Sequence, residues 1–585
     1  MSKQIPLLRE GEMPYQPISL ASMEWNKTGS WRYLRPRFEN KIPPCNEGCP
    51  AGQDIEGALV LVGKGKYLEA WDLFKEENPF PAVCGRVCYH PCESSCNRAD
   101  FDEPLSINAL ERFMADMALK HRRKPSLQKR EKRPEKVAVI GSGPAGLTCA
   151  YHLVRLGYGV TVFEALPVLG GMLRVGIPEY RLPKKILGEE IDQVLELGVK
   201  VEVNARLGDG LSLDDLKEYQ AIFLALGNHK SRNLGISGEE ARGVMSGVEF
   251  LKDVNLGKKV ELGKRVAVIG GGNTAVDAAR AALRLGAKPL ILYRRTREEM
   301  PAFASEVHEA EEEGIEISLL TSPVKVISQN GRIAQLECVK NRLGPPDEDG
   351  RRRPVEIKGS NYTLEVDQVI SAIGEEADLS SLSKRMGIRE NTVPTDERGA
   401  TQQTGIFAGG DITLQPHTVV HAIASGKRAA IFIDSHLRKQ KWEGLFEALR
   451  VGEKGSLSMK RYLQEEKERV PLSGKTVLLK DLNLDYFEYQ KRLKMPKAKV
   501  SRRTGSFEEV NLGFNEDTAV EESRRCFNCG VCNLCDNCYI FCPDVAIQKG
   551  KEGELNIIDY DHCKGCGICM EECPRDVVVM EVEGR

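Results

Sequence analysis

Long apolar runs are missing from the sequence. No segment reaches about 18 consecutive apolar residues, so we expect no membrane-spanning helix. The N-terminal sequence, MSKQIPLLREGEMPYQPISL, also lacks the apolar core of a secretory signal. The sequence therefore predicts a soluble protein of the cytoplasm.

Positively and negatively charged residues are also nearly equal in number. The 585 residues include 83 Lys and Arg against 85 Asp and Glu, which gives a net charge of -2. Nucleic-acid-binding proteins usually present a basic surface, so nucleic acid is not an expected partner. The basic run HRRKPSLQKREKRPEK, at 121–136, is broken by proline and is predicted to be an exposed linker.

Cysteine is nearly absent from the middle of the chain. Of the 18 cysteines, six lie in residues 45–96 and ten in residues 526–573, while Cys149 and Cys338 are isolated between them. Cysteines grouped at short fixed spacings in a cytoplasmic chain indicate metal ligands rather than disulfides. The two isolated cysteines are predicted to be core residues.

The C-terminal cysteines contain two copies of the bacterial ferredoxin run, C-x2-C-x2-C-x3-C-P. In this pattern three thiolates of one run hold a [4Fe–4S] cluster, and the fourth cysteine crosses to the other cluster. A zinc site is the disfavoured alternative. The expected ligands are Cys532, Cys535, Cys538 and Cys573 for one cluster, and Cys563, Cys566, Cys569 and Cys542 for the other.

A dinucleotide-binding unit begins at residue 136. The sequence KVAVIGSGPAGLTCAYHLVRLGYGVTVFEA predicts a strand, a glycine turn, a helix and a second strand. Gly141 permits the tight turn, Gly143 lets the backbone approach a pyrophosphate, and Gly146 lets helix and strand pack closely. The helix N-terminus offers N–H groups to the phosphates, and Glu164 can accept hydrogen bonds from a ribose.

A second motif indicates which dinucleotide binds this unit. TGIFAGGDI, at 404–412, predicts a strand that ends in Gly-Gly-Asp, and a helix with small residues at its start follows. The motif resembles the second FAD signature of flavoproteins with two dinucleotide-binding domains. The resemblance implies that FAD binds the first unit, with Asp411, after Gly410, at the ribitol chain.

The strand–turn–helix–strand pattern recurs in KRVAVIGGGNTAVDAARAALRLGAKPLILYRR, with alanine in the third glycine position. Two arginines end its second strand, where the first unit has an acid. A guanidinium binds a 2′-phosphate, which a carboxylate would repel, so the pattern favours NADPH over NADH. The alternative is that the arginines only mark a solvated strand end. The predicted nucleotide-binding residues are Gly270, Gly272, Asn273, Ala275, Arg294 and Arg295.

Further motifs over residues 41–440 resemble the glutamate synthase small-subunit family. They include CNEGCPAGQDI, NPFPAVCGRVCYHPCESSC, GGMLRVGIPEYRLPKKIL, YRRTREEMPA and AGGDI, in this order. That family is similar to the N-terminal part of dihydropyrimidine dehydrogenase and to the large subunit of NADH-dependent ferredoxin:NADP oxidoreductase. The resemblance implies FAD, with Gly171 at its site, a pyridine nucleotide, and two [4Fe–4S] clusters in a helical N-terminal domain.

The resemblance also implies the ligands of the two N-terminal clusters. One cluster keeps only Cys45 and Cys96, because RPRFENKIPP stands where the family has a further CxxC. The other cluster keeps all four ligands, and the fourth is an acid at the position where relatives have Glu or Gln. Its implied ligands are Cys49, Cys88, Cys92 and Glu111.

The missing CxxC has a counterpart near the other end of the chain. EESRRCFNCGVC, at 521–532, resembles the absent family segment, and the ferredoxin runs do not need Cys526 and Cys529. If these two complete the cluster of Cys45 and Cys96, within one chain or across a dimer, the chain holds four clusters. The alternative is that both are free thiols and that one N-terminal cluster is absent.

The expected fold class is α/β, with two Rossmann-like dinucleotide-binding domains, the second inserted in the first. A helical iron–sulfur domain precedes them, and an α+β bacterial-type ferredoxin domain follows. The predicted division is an irregular extension at 1–40, the helical iron–sulfur domain at 41–130, the FAD-binding domain at 131–250 and 360–440, the NAD(P)H-binding domain at 251–359, an extended connector with short helices at 441–520, and the ferredoxin-like domain at 521–585.

Together these motifs predict an NAD(P)H-dependent oxidoreductase subunit that passes electrons between nicotinamide, FAD and [4Fe–4S] clusters. Because no substrate-specific catalytic domain is visible, we expect a redox partner in a dimer or hetero-oligomer: a ferredoxin, a molybdenum or tungsten enzyme, or another reductase. One alternative is the small subunit of an NADPH-dependent glutamate synthase, which usually lacks the ferredoxin tail. Another is a non-enzymatic electron-storage or assembly protein, which the two intact dinucleotide sites disfavour.

Overall fold

The computed structural model describes residues 27–347, 350–382, 386–464 and 474–583. A helical N-terminal domain is followed by two α/β units and a small C-terminal module, as the predicted fold class requires. Within the described ranges no helix combines the length and the apolar character that a bilayer crossing needs.

Short helices joined by cysteine-containing turns build the N-terminal domain. Asp54 caps one helix by accepting a hydrogen bond from the Gly57 amide (3.2 Å). Three others begin with proline, whose missing N–H is not needed in the first turn. Trp71, Phe74 and Phe80 are buried at the centre. The helices are Pro44–Glu47, Ile55–Gly63, Tyr67–Glu77, Pro81–Val87, Pro91–Ser94, Arg98–Phe101 and Ile107–Lys120.

The first α/β unit is a five-stranded parallel sheet whose central strand begins the first glycine motif. This strand and its two neighbours are almost wholly buried, as expected for parallel strands between layers of helices. In spatial order the strands are Ile406–Ala408, Ala221–Leu224, Lys136–Ile140, Gly159–Glu164 and Lys200–Val203, and the helices are Pro144–Arg155, Met172–Val175, Lys184–Leu195 and Val419–Leu437.

The second α/β unit is another five-stranded parallel sheet, with an antiparallel sheet packed on one face. Two of its strands lie outside the predicted limits of 251 and 359, because Val369 pairs with both Ala267 and Val244. In spatial order the parallel strands are Glu316–Ser318, Lys288–Leu292, Arg265–Ile269, Gln368–Ser371 and Val244–Ser246; the antiparallel strands are Thr321–Gln329, Arg332–Pro346, Arg352–Glu356 and Tyr362–Glu365; and the helices are Gly247–Asn255, Asn273–Arg284 and Ala304–Glu312.

The N-terminal extension is not irregular throughout, in contrast to the prediction. Leu34–Phe38 is a strand that pairs antiparallel with Val578–Val582 of the C-terminal module. Arg32 reinforces this junction by donating a hydrogen bond to the Cys563 carbonyl (2.9 Å). Residues 1–26 lie outside the described ranges. The other elements of the module are the helices Asn537–Ile540 and Ile568–Glu571 and the strands Ile547–Gln548 and Ile557–Ile558.

The predicted connector, residues 441–520, crosses the other domains in close contact with them. Glu509 accepts a hydrogen bond from Arg86 of the helical domain (2.8 Å). Arg503 forms an ion pair with Glu312 of the second α/β unit (2.6 Å). Charged residues of the connector therefore bind neighbouring domains instead of only facing solvent. The helices of this segment are Leu445–Leu449, Met459–Leu463, Val500–Arg503 and Glu516–Arg524.

The junction between the two chain ends gives a matched pair of variants. A Cβ on Gly565 would lie 2.0 Å from the Leu34 carbonyl oxygen, whereas a Cβ on Gly567 would meet no atom within 4 Å. Both glycines have a positive φ. Each alanine variant therefore loses roughly 1–2 kcal/mol of stability by placing a Cβ in the left-handed backbone conformation. Gly565→Ala should lose a further ~1–3 kcal/mol of local stability through overpacking. Hydrogen exchange of the strand Leu34–Phe38 should accelerate more in Gly565→Ala than in Gly567→Ala, and equal acceleration would contradict the packing of this strand.

Candidate redox site

A cavity of ≈ 960 Å³ lies between the two α/β units. Most of its wall comes from the first unit, and Ser246, Val248 and Lys252 of the second unit line it as well. Its size is in the range of cofactor sites. Six of the seven residues predicted to bind FAD line this cavity: Gly141, Gly143, Glu164, Gly171, Gly410 and Asp411.

The first glycine turn has the geometry that a pyrophosphate site requires. Gly141 has a φ of +106°, and a Cβ there would lie 2.3 Å from the Ala225 carbonyl oxygen. Gly146 does not line the cavity, but a Cβ on it would lie 1.9 Å from the Gly141 oxygen, so glycine allows the helix to approach the strand. A Cβ on Gly143 would meet no atom within 4 Å and would occupy open space in the cavity. The turn thus leaves room for phosphate where the motif predicts it.

Two carboxylates offer acceptors to the hydroxyl groups of a dinucleotide. Glu164 is buried and accepts hydrogen bonds from the amides of Ser142 (2.9 Å) and Leu166 (2.8 Å), which fix its orientation. Burial raises the pKa of Asp411, and the nearby His417 opposes this increase. The donor and acceptor groups of the cavity therefore fit FAD.

The second glycine turn repeats this arrangement. Gly270 has a φ of +143°, and a Cβ there would lie 2.1 Å from a backbone oxygen. Ala275 is fully buried in the third glycine position, and Asn273 accepts a hydrogen bond from the Phe303 amide (3.1 Å). A Cβ on Gly272 would meet no atom closer than 3.9 Å, which leaves space for a phosphate.

The two dinucleotide sites adjoin each other at one carboxylate. Thr274, in the first turn of the second unit's helix, donates a hydrogen bond to Glu375 (3.0 Å). Burial raises the pKa of Glu375, and the charge of Asp411 in the cavity contributes to the increase. The start of this helix therefore lies near the FAD cavity, as hydride transfer between two bound dinucleotides requires.

The two arginines predicted to bind a 2′-phosphate lie in different environments. Arg295 is 3% exposed, donates a hydrogen bond to the Arg352 carbonyl (2.8 Å) and forms an ion pair with Asp347. Arg294 is exposed at the end of the second strand. Of the two arginines, only Arg294 presents its guanidinium to solvent. Arg295 uses its guanidinium in contacts within the unit and therefore has a structural role.

Three cysteines and one glutamate, here called the first thiol group, lie together in the helical domain: Cys49, Cys88, Cys92 and Glu111. Burial raises the pKa of Cys92 well above its usual range, and the charges of Cys49 and Cys88 add to the increase. The charge of Glu111 acts on all three thiols. Its buried carboxylate receives a hydrogen bond from Gln53 (3.0 Å).

The second thiol group consists of Cys45, Cys96, Cys526 and Cys529 of the same chain. Burial raises the pKa of Cys45 well above its usual range, and the charges of the other three thiols add to the increase. Asn97 holds the C-terminal segment in place by donating a hydrogen bond to the sulfur of Cys529 (3.4 Å). Cys526 and Cys529 therefore lie beside Cys45 and Cys96, the two cysteines whose cluster lacks two ligands.

The two ferredoxin runs contribute to each other's groups. Burial raises the pKa of Cys532, and the charges of Cys535 and Cys573 add to the increase. Burial also raises the pKa of Cys563, and Cys542 contributes to this increase. The fourth cysteine of each run thus lies with the first cysteines of the other run. These two sets of four cysteines are called the ferredoxin groups below.

The chemistry of all four groups fits [4Fe–4S] clusters. All 18 cysteines are free thiols, and metal binding would stabilise thiolates that burial otherwise disfavours. No three His, Cys, Asp or Glu side chains in the described ranges are arranged to hold a single metal ion, whereas a cubane spreads its ligands over four irons. In each group at least one sulfur accepts a hydrogen bond from a backbone N–H at 3.3–3.4 Å, a contact of the kind that tunes cluster potentials. These sulfurs belong to Cys88, Cys526, Cys542 and Cys573.

An aromatic pair links the cavity to the first thiol group. Tyr89 follows Cys88 and stacks on His421, with ring centroids 6.0 Å apart and an interplanar angle of 13°. The His421 ring contacts the hydroxyl of Thr418 (2.8 Å), which lines the cavity. The pair could not be recognised from the sequence, because no local pattern joins positions so far apart.

Three family models match the chain. A pyridine nucleotide-disulphide oxidoreductase model matches residues 135–426. A model described as dihydropyrimidine dehydrogenase domain II, 4Fe-4S cluster, matches residues 38–123. A 4Fe-4S binding domain model matches residues 556–579.

Individual proteins match over longer stretches. The chain is 40% identical over 514 residues to the NADP(+)-dependent formate dehydrogenase subunit beta of Moorella thermoacetica, which covers 83% of this chain and 70% of that protein. It is 38% identical over 530 residues to the NADPH-Fe(3+) oxidoreductase subunit beta of Geobacter sulfurreducens, with coverage of 84% and 76%. It is 35% identical over 417 residues to the glutamate synthase [NADPH] small chain of Escherichia coli, with coverage of 66% and 87%.

Replacing both Cys526 and Cys529 by serine should remove one cluster, because two of four thiolates are lost. Iron should fall by about four atoms per chain, while FAD and the EPR signals of the ferredoxin groups remain. Cys149→Ser is the matched control, since the pKa of this buried thiol is raised by burial alone and it should not affect the iron content. Unchanged iron in the double variant, or loss of a ferredoxin signal, would refute the assignment.

The arginines can be separated by single substitutions. Arg294→Ala should weaken NADPH more than NADH, because a charged hydrogen bond is worth roughly 1.5–3 kcal/mol. Arg295→Ala should instead lower the thermal stability of the unit, because it removes a buried ion pair. The measurements are flavin reduction as a function of nucleotide concentration and thermal unfolding. Equal effects of Arg294→Ala on both nucleotides would exclude a contact with the 2′-phosphate.

Proposed function

Because the chain belongs to the family of FAD- and NADP-dependent iron–sulfur oxidoreductases that these relatives represent, we propose that it is the subunit of an electron-transfer complex that carries electrons between NADPH and a partner protein. The chain is an FAD-dependent oxidoreductase of pyridine nucleotides with [4Fe–4S] clusters. When bound, FAD exchanges a hydride with nicotinamide and single electrons with clusters.

The observation that carries this proposal is the succession of ligand groups beside the cavity. Cys88 of the first thiol group is one residue from Tyr89, whose partner His421 contacts the wall of the cavity. Cys45 and Cys49 join the first and second thiol groups within four residues of chain. Cys529 and Cys532 join the second thiol group to a ferredoxin group within three residues, a span of at most roughly 11 Å.

We further propose that the chain holds four [4Fe–4S] clusters and that Cys526 and Cys529 bind theirs within one chain. The support is the burial of these thiols beside Cys45 and Cys96. NADPH is the proposed nucleotide, and Arg294 is the residue proposed to bind its 2′-phosphate.

The partner is proposed to take electrons from, or give electrons to, the ferredoxin module. Two of the relatives are named as beta subunits and match 83–84% of this chain, whereas the glutamate synthase small chain of Escherichia coli matches 66% of it. A metal-containing oxidoreductase subunit or a ferredoxin is therefore favoured over a glutamate-forming large subunit. None of the 18 cysteines forms a disulfide, which supports a reducing compartment such as the cytoplasm.

Anaerobic titration with NADPH tests the proposed function. The purified protein should contain one FAD and about 16 irons, the sum of four cubanes. NADPH should bleach the flavin absorbance, and EPR signals of reduced clusters should follow. A protein whose flavin is not reduced by NADPH or NADH would contradict the proposal, and about 12 irons would indicate three clusters. Co-purification from native extract should identify the partner.

A further inference from the structure

A buried guanidinium without an ion pair lies at the junction of the second thiol group and the ferredoxin module. Arg575 is 5% exposed, and its Nε and Nη1 have no hydrogen-bond partner among the described residues. Burial of an uncompensated charge is strongly unfavourable. An anion near Arg575 is therefore expected.

The backbone fixes the location of Arg575. It follows the ferredoxin ligand Cys573 by two residues, and its carbonyl accepts a hydrogen bond from the Gly530 amide (2.8 Å). Gly530 lies between Cys529 of the second thiol group and Cys532 of a ferredoxin group. Arg575 is thus held between two groups of cluster ligands.

Aromatic side chains surround the guanidinium. Its central carbon lies 5.2 Å from the ring centroid of Tyr486 and 5.5 Å from that of Phe487. The ring of Phe487 lies 4.2 Å from that of Phe527, which follows Cys526. Aromatic faces attract a cation but do not neutralise its charge.

The nearby carboxylates are engaged elsewhere. Asp576 forms its ion pair with Lys41, which is buried, and a longer one with Lys475 (4.0 Å). Glu56, which is buried beside the second thiol group, accepts its hydrogen bond from Asn528 (2.8 Å). The charge of Arg575 acts on Glu56, but neither carboxylate forms an ion pair with Arg575, so the protein compensates this charge only in part.

We propose that Arg575 is the shared counter-charge of two [4Fe–4S] clusters, one at the second thiol group and one at Cys532, Cys535, Cys538 and Cys573. The inference rests on the proposed function, because it requires both clusters. A cluster bound by four thiolates is an anion that becomes more negative on reduction, so a nearby cation favours the reduced form. In transfer between them a single electron moves from one cluster to the other, with no bond or proton changed. Arg575 attracts that electron in both positions and so raises the reduction potentials of both clusters.

Two substitutions of Arg575 separate charge from shape. Arg575→Met keeps an unbranched side chain that fits between the rings, and Arg575→Lys keeps the charge. A unit charge acting over about 10 Å at an effective dielectric constant of about 20 changes an equilibrium constant roughly tenfold. A tenfold change in this equilibrium constant corresponds to a shift of about 59 mV in the midpoint potential of a one-electron couple. In EPR-monitored redox titrations of the holoprotein, Arg575→Met should lower the midpoint potentials of both clusters by about this amount, and Arg575→Lys should keep them near those of the wild type.

The control is Arg503→Met, which removes another buried arginine, one that pairs with Glu312 in the connector contact. It should leave every cluster potential unchanged. Iron content and EPR intensity of the wild type show whether both clusters exist, so a missing cluster there would refute the proposed function rather than the role of Arg575. Unchanged potentials in Arg575→Met, or equal decreases in the Met and Lys variants, would overturn the proposal. Loss of a cluster in Arg575→Met would overturn it too, because the residue would then act in folding.

Discussion

The packing of residues 516–530 against the helical N-terminal domain is the contact on which the rest of the structure depends. Glu522 accepts a hydrogen bond from the Ser106 amide (2.8 Å), and Asn528 donates one to the buried Glu56 (2.8 Å). Buried polar contacts of this kind are favourable only when every partner is in position. This packing sets the thiols of the CxxC beside the cysteines of the N-terminal domain and brings the two ends of the chain together.

Closing the chain in this way has a thermodynamic consequence. Both α/β units lie in the sequence between Cys96 and Cys526, so a cluster bound by these cysteines would close a loop of more than four hundred residues. The entropy lost on closing a loop increases only slowly with its length, and ligation free energy would offset it. The cluster would then act both as an electron carrier and as a cross-link that fixes the ferredoxin module relative to the flavin cavity. The strand pair at Leu34–Phe38 supplies a second, independent attachment of the same module.

The parts of the site that could be predicted from the sequence are those specified by local backbone geometry. Gly141 and Gly270 can be recognised because any side chain there would collide with a neighbouring backbone. The ferredoxin runs can be recognised because one short segment supplies three ligands of a cluster. The strand at residues 34–38 could not be predicted, since its partner is more than five hundred residues away and Pro36 at its centre argues against a strand. The ion pair of Arg295 with Asp347 likewise depends on a distant residue. The sequence pattern alone therefore assigned both Arg294 and Arg295 to the 2′-phosphate.

An anomalous-scattering map of the anaerobically purified holoprotein, recorded at the iron absorption edge, would show directly where the clusters lie. We expect four iron clusters per chain, one of them bounded by Cys45, Cys96, Cys526 and Cys529 of a single chain. This cluster should lie between the cluster of the first thiol group and the ferredoxin clusters. A map with three clusters, or with Cys526 and Cys529 bound to iron held by another copy of the chain, would contradict this expectation.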